Sequence, residues 1–196
     1  MVVIEVLRRN LRVIRMVATA VALTVVFGVT PAPADEFEEA VEAGERAYDE
    51  GRLEDALEYY AAAVEIDDTL PELFYNRGNV YYDLSRYREA IEDYTAALEL
   101  DDDIGQAYFN RGNARFMLEE YAEAVEDYSE AIAREGEDRE TLYNRATARF
   151  RLHEYRDAIE DYRSVLELDP DHINAHYNLG LAHVRLAEQL EHAQNE

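Results

Sequence analysis

From Glu36 onward the apolar residues recur at helical spacing, and the strongest breakers, Gly51, Pro71, Gly136 and Pro170, fall between the apolar stretches. No segment alternates apolar and polar residues as a half-buried strand does. The spacing predicts helices over residues 36–49, 53–66, 71–84, 87–100, 105–118, 121–134, 139–152 and 155–168, with a last helix over 173–192. A second, longer period overlies the first. Tyr75-Asn76-Arg77-Gly78-Asn79 returns as Phe109-Asn110-Arg111-Gly112-Asn113, as Tyr143-Asn144-Arg145-Ala146-Thr147, and in part as Tyr177-Asn178-Leu179-Gly180-Leu181, each copy 34 residues after the last. A fixed period of this length means a repeat array, in which each unit buries its apolar face against its neighbours.

With Pro71 as position 1 of a unit, position 8 holds Gly44, Gly78, Gly112, Ala146 and Gly180. Position 20 holds Ala56, Ala90, Ala124 and Ala158, and position 24 holds Tyr60, Tyr94, Tyr128 and Tyr162. Glycine inside a helix costs about 1 kcal/mol relative to alanine, so a glycine column needs a packing reason. The expected reason is close approach of the two helices of a unit, with small residues at 8 and 20 and the ring at 24 filling the space beside them.

These columns resemble the tetratricopeptide repeat, whose pattern places an aromatic at 4, Leu-Gly at 7 and 8, Tyr at 11, Ala at 20, an aromatic at 24, Ala at 27 and Pro at 32. Phe74, Gly78, Tyr81, Ala90, Tyr94 and Ala97 match in the second unit, and Pro170 matches in the fourth. The resemblance implies an all-α, right-handed α-solenoid of helix-turn-helix repeats over residues 37–70, 71–104, 105–138 and 139–172. The helix at 173–192 repeats the first half of a fifth unit and would cap the array. It also implies that the first helices line a concave face used to bind protein.

Two departures from the family pattern stand out. Position 7, normally Leu, is Arg77, Arg111 and Arg145, and position 23 of the same units is Asp93, Asp127 and Asp161, whereas the first unit has Ala43 and Tyr59 and lacks both. Joint presence and joint absence predict a structural ion pair, within a unit or across to a neighbour, that orients helices more than it stabilises them. In the third unit Arg134 and Gly136 replace the apolar residue at 30 and the Pro at 32, which predicts a looser junction with the fourth.

The columns that point inward in this family give Tyr75, Phe109, Tyr143 and Tyr177 at position 5, and Asn76, Asn110, Asn144 and Asn178 at position 6. Asn79 and Asn113 follow at position 9, and Tyr82, Phe116 and Phe150 at position 12. Rings alternating with amides suit an extended peptide, because an amide offers a donor and an acceptor to a peptide unit whatever its side chain. The alternative is that these asparagines bridge neighbouring helices. The family's carboxylate clamp for chaperone tails does not carry over, since Val41, Glu45, Glu140 and Asn144 break its set.

The N-terminus reads as a targeting segment. Arg8, Arg9, Arg12 and Arg15 precede an apolar run over 16–29, and Ala32-Pro33-Ala34 suits cleavage before Asp35. That run has 14 residues, short of the roughly 18 expected of a spanning helix, which favours a cleaved signal over a membrane anchor. The pair Arg8-Arg9 also resembles a twin-arginine signal, although paired arginines are common in ordinary n-regions. Residues 35–196 would then be a periplasmic or extracellular domain. They carry 15 Arg against 43 acids, a formal net charge of −28, and no Lys. That balance excludes nucleic acid as a natural partner. It fits a high-salt habitat, where dense carboxylates are screened, or a GC-rich genome that favours Arg codons.

Chemistry is sparse. The chain has no Cys, hence no disulfide and no thiol nucleophile. No triad, phosphate loop or nucleotide motif is recognisable. His172, His176 and His183 share helical spacing without an evident ligand set, and Asp101-Asp102-Asp103 lacks calcium-loop spacing and is expected to cap a helix. No catalytic residue, metal site, cofactor or small-molecule substrate is expected. The expectation is an exported protein-interaction module holding an extended partner segment in its groove. The alternative is a self-associating scaffold joined through Leu179, Leu186 and Leu190 of the last helix.

Overall fold

A computed structural model describes residues 33–194. Among them the chain forms nine α-helices and no strand: α1 (Pro33–Asp49), α2 (Leu53–Ile66), α3 (Pro71–Asp83), α4 (Tyr87–Leu100), α5 (Gly105–Met117), α6 (Tyr121–Glu135), α7 (Arg139–Arg151), α8 (Tyr155–Leu168) and α9 (Ile173–Gln194). The expected export segment lies outside the described residues except for Pro33 and Ala34, with which α1 begins. No described helix is long and apolar enough to cross a membrane.

The helices pair as α1/α2, α3/α4, α5/α6 and α7/α8, each pair packs on the next, and α9 packs on α8. From α3 onward the first helices of successive units also touch one another, which sets them side by side along one face of an α-solenoid. Buried residues form five small clusters along the array rather than one centre, as expected where each unit meets only its neighbours.

The helix pair is fixed by one contact. A Cβ added to Gly78 would come within 2.7 Å of the Tyr94 ring, and one added to Gly112 within 2.9 Å of the Tyr128 ring. Position 8 therefore faces the ring at 24 directly, rather than the backbone beside position 20. The rings of Tyr94 and Tyr128 are almost wholly buried, and that burial pushes both hydroxyl pKa values above the ordinary tyrosine value. Gly180 on α9 has nothing within 4 Å, since no described helix packs against it there.

The turn inside each unit is equally regular. Position 15 is left-handed in all four units, at Gly51 (φ 72), Ser85 (φ 58), Glu119 (φ 62) and His153 (φ 61). In the second unit Arg86 N donates to Tyr81 O at 2.8 Å and Ser85 N to Tyr82 O at 2.8 Å, the paired bonds of a Schellman cap. Only Gly51 marks this turn by residue type. Between units the devices differ. Pro71 opens α3, and the Asp138 carboxylate caps α7 by accepting from Glu140 N and Thr141 N. Asp101 does not cap α5; its carboxylate accepts from Asp103 N at 3.0 Å within the connector, as Asp67 does from Thr69 N.

The junction after the third unit is not looser than its neighbour: α6 and α7 meet as closely as α4 and α5. Arg134 fills the apolar column by lying over the Tyr108 ring, 4.3 Å from its centroid, and by donating to the Asp102 carbonyl. Gly136 ends α6 in the left-handed region at φ 90.

Gly78→Leu should drive a side chain into the Tyr94 ring and lower stability by about 1–3 kcal/mol. Gly180→Ala, which meets nothing, should raise it by up to about 1 kcal/mol. Thermal unfolding of both variants checks the pair of signs.

Candidate functional site

The arginines at position 7 and the aspartates at position 23 meet within their own units. Arg77 donates through Nε and Nη2 to the two carboxylate oxygens of Asp93, each at 2.7 Å. Arg111 does the same with Asp127 at 3.0 and 2.7 Å, and Arg145 with Asp161 at 3.0 and 2.8 Å. All three aspartates are buried. The contact also reaches the preceding unit, because Arg111 Nη1 donates to Thr95 Oγ1 and Arg145 Nη1 to Ser129 Oγ. A second arginine joins in the third and fourth units, where Arg115 and Arg149 each lie 2.7 Å from the same aspartates. Position 11 holds Tyr81 in the second unit, so Asp93 has a single guanidinium partner. These six residues orient the helix pair and leave no charge free for a ligand.

The inward columns form a second network. Tyr94 Oη donates to Asn79 Oδ1 at 2.8 Å, and Asn110 Nδ2 of the next unit donates to the same oxygen at 2.9 Å and to Tyr75 Oη at 3.2 Å. One unit further on, Asn113 Oδ1 accepts from Tyr128 Oη and from Asn144 Nδ2 at 3.1 Å. Asn178 Nδ2 donates to Tyr143 Oη at 3.0 Å. In the fourth unit Thr147 takes the place of the asparagine, with its hydroxyl 3.2 Å from Tyr162 Oη. The asparagines thus bridge units. Each bridge engages one end of the amide, however, and Asn79 Nδ2, Asn110 Oδ1, Asn113 Nδ2 and Asn144 Oδ1 are neither bonded nor buried away from solvent. Among the described residues Asn76 makes no side-chain hydrogen bond, its opposite number at position 9 of the first unit being Glu45.

The rings are half-buried. Tyr75, Phe109 and Tyr143 lean on Tyr94, Tyr128 and Tyr162 at centroid distances of 6.0, 6.0 and 5.8 Å. Tyr82, Phe116 and Phe150 meet Tyr87, Tyr121 and Tyr155 edge to face at 5.4, 5.1 and 5.3 Å. Tyr177 differs, being 70% exposed.

Family models described as tetratricopeptide repeat and TPR repeat match residues 75–139 and residues 44–85 and 148–186, respectively. The chain belongs to the tetratricopeptide repeat family. No curated protein matches it in sequence. Solved repeat proteins superpose well. A crystal structure of MamA is 24% identical with a TM-score of 0.76, covering 82% of this chain and 88% of that one. MamA of Desulfovibrio magneticus RS-1 gives 23% and 0.75 over 83% and 92%. YrrB, described as a TPR protein with an unusual peptide-binding site, gives 24% and 0.71 over 78% and 82%. The first TPR of Spaghetti (RPAP3), bound to the HSP90 peptide SRMEEVD, is 31% identical with a TM-score of 0.57 over 62% and 96%. Below 25% identity the likeness is one of fold.

Within this repeat array two cavities open between first helices. One, of about 250 Å³, is lined by Tyr48, Asn79, Tyr82, Asp83, Tyr94 and Asn110. Tyr48 Oη donates to Asp83 at 2.7 Å, and burial together with that carboxylate pushes its pKa up to about 12. The other, of about 760 Å³, lies between α7, the turn after it and the end of α9. The histidines at the start of α9 act locally: His172 Nδ1 accepts from Ala175 N at 3.1 Å, and His176 Nε2 lies 2.8 Å from Pro170 O. The proposed leucine seam on α9 does not hold together, because Leu179 packs into the cluster around Tyr162 and Val165 and Leu186 is half-buried. The apolar residues that α9 exposes are instead Ile173, Tyr177, Val184 and Leu190.

Arg77→Met should leave the buried Asp93 carboxylate without its partner and cost about 3–5 kcal/mol, whereas Arg77→Met combined with Asp93→Leu should recover most of the loss. Glu89→Ala, which breaks the exposed pair with Arg86, should cost no more than about 1 kcal/mol. Urea unfolding of the three variants checks the order.

Proposed function

We propose that this TPR protein is an exported protein-interaction module that holds an extended segment of a partner along its first helices. The observation that carries this reading is the half-used amide. At two of the junctions, those of Asn79 with Asn110 and of Asn113 with Asn144, the bonded pair leaves one amide N–H group and one amide oxygen unused. A peptide unit presents the complementary acceptor and donor, so the same amides can hold the array together and hold a backbone. Half-buried rings between them offer apolar contact at little entropic loss, since their packing already restrains them. RPAP3 with its HSP90 peptide and YrrB with its peptide-binding site support a peptide as the class of ligand. Export to the cell envelope is supported by the arginines and apolar run of residues 8–29.

Asn76→Ala removes an amide that bonds nothing among the described residues. It should weaken capture of a partner from an envelope extract while changing stability by less than about 0.5 kcal/mol. Asn110→Ala should lower both, losing about 1 kcal/mol of stability for each bridging hydrogen bond. Capture quantified by mass spectrometry, with thermal unfolding alongside, separates the two effects; unchanged capture by Asn76→Ala removes the groove from consideration.

One observation favours a second reading, in which the chain self-associates through α9. Ile173, Tyr177 and Val184 are 80%, 70% and 55% exposed around Gly180, on the side where every other unit carries its second helix. Light scattering at two salt concentrations decides: a dimer that Tyr177→Glu dissociates supports it, and a monomer at both concentrations eliminates it.

A further inference from the structure

The inward columns are not uniform along the array. Position 13 reads Asp49, Asp83, Met117, Arg151 and Arg185 from the first unit to α9. Position 9 loses its acid over the same course, through Glu45, Asn79, Asn113, Thr147 and Leu181. One face of the first helices is therefore acidic at its N-terminal end and basic at its C-terminal end, in a chain whose residues 35–196 carry 43 acids against 15 arginines.

Members of the series of both signs line the two cavities. Asp83 lines the smaller one. Arg151 and Arg185 line the larger one with Phe150 and Tyr155 as an apolar floor. Arg151 has no carboxylate partner among the described residues. Among the described residues Arg185 is paired with Glu188, one helical turn away at 2.8 Å, and both side chains are half exposed, so the contact is weak enough for an incoming carboxylate to replace. The wall of this cavity is an addition to the repeat. Helices α3, α5 and α7 have 13 residues each, whereas α9 has 22. Arg185 is its thirteenth residue, and the extra turns beyond it carry Glu188, Gln189 and His192 over the cavity.

We propose that this cavity is a site for acidic side chains, and that the groove accepts a partner segment in one charge polarity, with Asp or Glu at the α7–α9 end and Arg or Lys at the Asp83 end. The inference rests on the peptide-groove reading and adds to it the composition and direction of the segment. Two acidic side chains suit the pair of arginines. Packed helices stand about 8–10 Å apart, and side chains at alternate positions of an extended chain are separated by about 7 Å. Residues i and i+2 of an extended segment can therefore each meet one arginine. The overall negative charge opposes such a ligand only at long range, since the Debye length is about 8 Å at 0.15 M salt.

The test uses the full chain at 0.15 M salt and fluorescent heptapeptides capped at both ends. One is neutral, built from Gly, Ser and Tyr; one has Glu at two alternate positions near one end; one has Arg there instead; and a neutral peptide with a free C-terminus controls for the terminal carboxylate. The Glu peptide should bind about tenfold tighter than the neutral one. Arg151→Glu combined with Arg185→Glu, two exposed positions, should abolish that advantage and give the Arg peptide the preference, with helicity unchanged by circular dichroism. Equal binding of the Glu and neutral peptides, retained Glu preference in the double variant, or an advantage confined to the free C-terminus overturns this inference and leaves the groove reading standing. Binding of none of the peptides overturns both.

Discussion

A tyrosine ring lying on a helix that lacks a side chain at the point of contact is the constraint on which the rest of this structure depends. With Gly78 under Tyr94 and Gly112 under Tyr128, the two helices of a unit approach until ring meets backbone. That distance brings Arg77 and Arg111 within bidentate reach of Asp93 and Asp127. It also carries the hydroxyl of the same ring to Asn79 or Asn113. The fourth unit shows the limit of the constraint, since Ala146 stands at position 8 and packs in the same cluster as Tyr162. One methyl is tolerated there, with Thr147 in place of the asparagine.

From that contact the structure builds outward through polar groups. The tyrosine hydroxyl fixes one asparagine oxygen, and the asparagine of the next unit donates to the same oxygen. Thr95 and Ser129 repeat this logic on the other side of the clasp, each accepting from an arginine of the following unit. Unit-to-unit geometry is thus set by hydrogen bonds at both edges of the helix layer, with small apolar clusters between. A buried ion pair is weak evidence for stability, because desolvation offsets most of the attraction. Its value here is angular, since the planar guanidinium fork accepts only one orientation of its carboxylate.

Much of this is legible in the sequence, for identifiable reasons. Helix limits follow from the apolar period and the breakers, and the structure leaves most of them in place, moving the start of α1 and five of the helix ends by one to three residues. The pairing of Arg77, Arg111 and Arg145 with aspartates is legible because the first unit lacks both partners. Other features carry no local signal. Ser85, Glu119 and His153 sit in the left-handed region although only Gly51 advertises the turn. Arg115 and Arg149 look like surface residues until position 11 is seen to face position 23. Arg134 reads as a defect in an apolar column, yet its guanidinium stacks on Tyr108 and serves as filler. Leu179 and Leu186 have the spacing of an exposed seam, but spacing does not say which side of α9 the rest of the array covers. The two roles of the asparagines do not separate in sequence because an amide has two ends, and only geometry tells which end is in use.

The left-handed turn inside each unit bears on how such a chain changes length over time. Its backbone N–H groups close back onto the preceding helix, so a residue inserted there would open bonds that nothing nearby can remake. The connectors between units are closed largely by side chains, those of Asp67, Asp101 and Asp169, which a longer loop could accommodate or replace. An added residue at a connector, or an added whole unit, therefore opens fewer backbone bonds than one inside a unit's turn. The array lengthens as a sentence does, by added clauses.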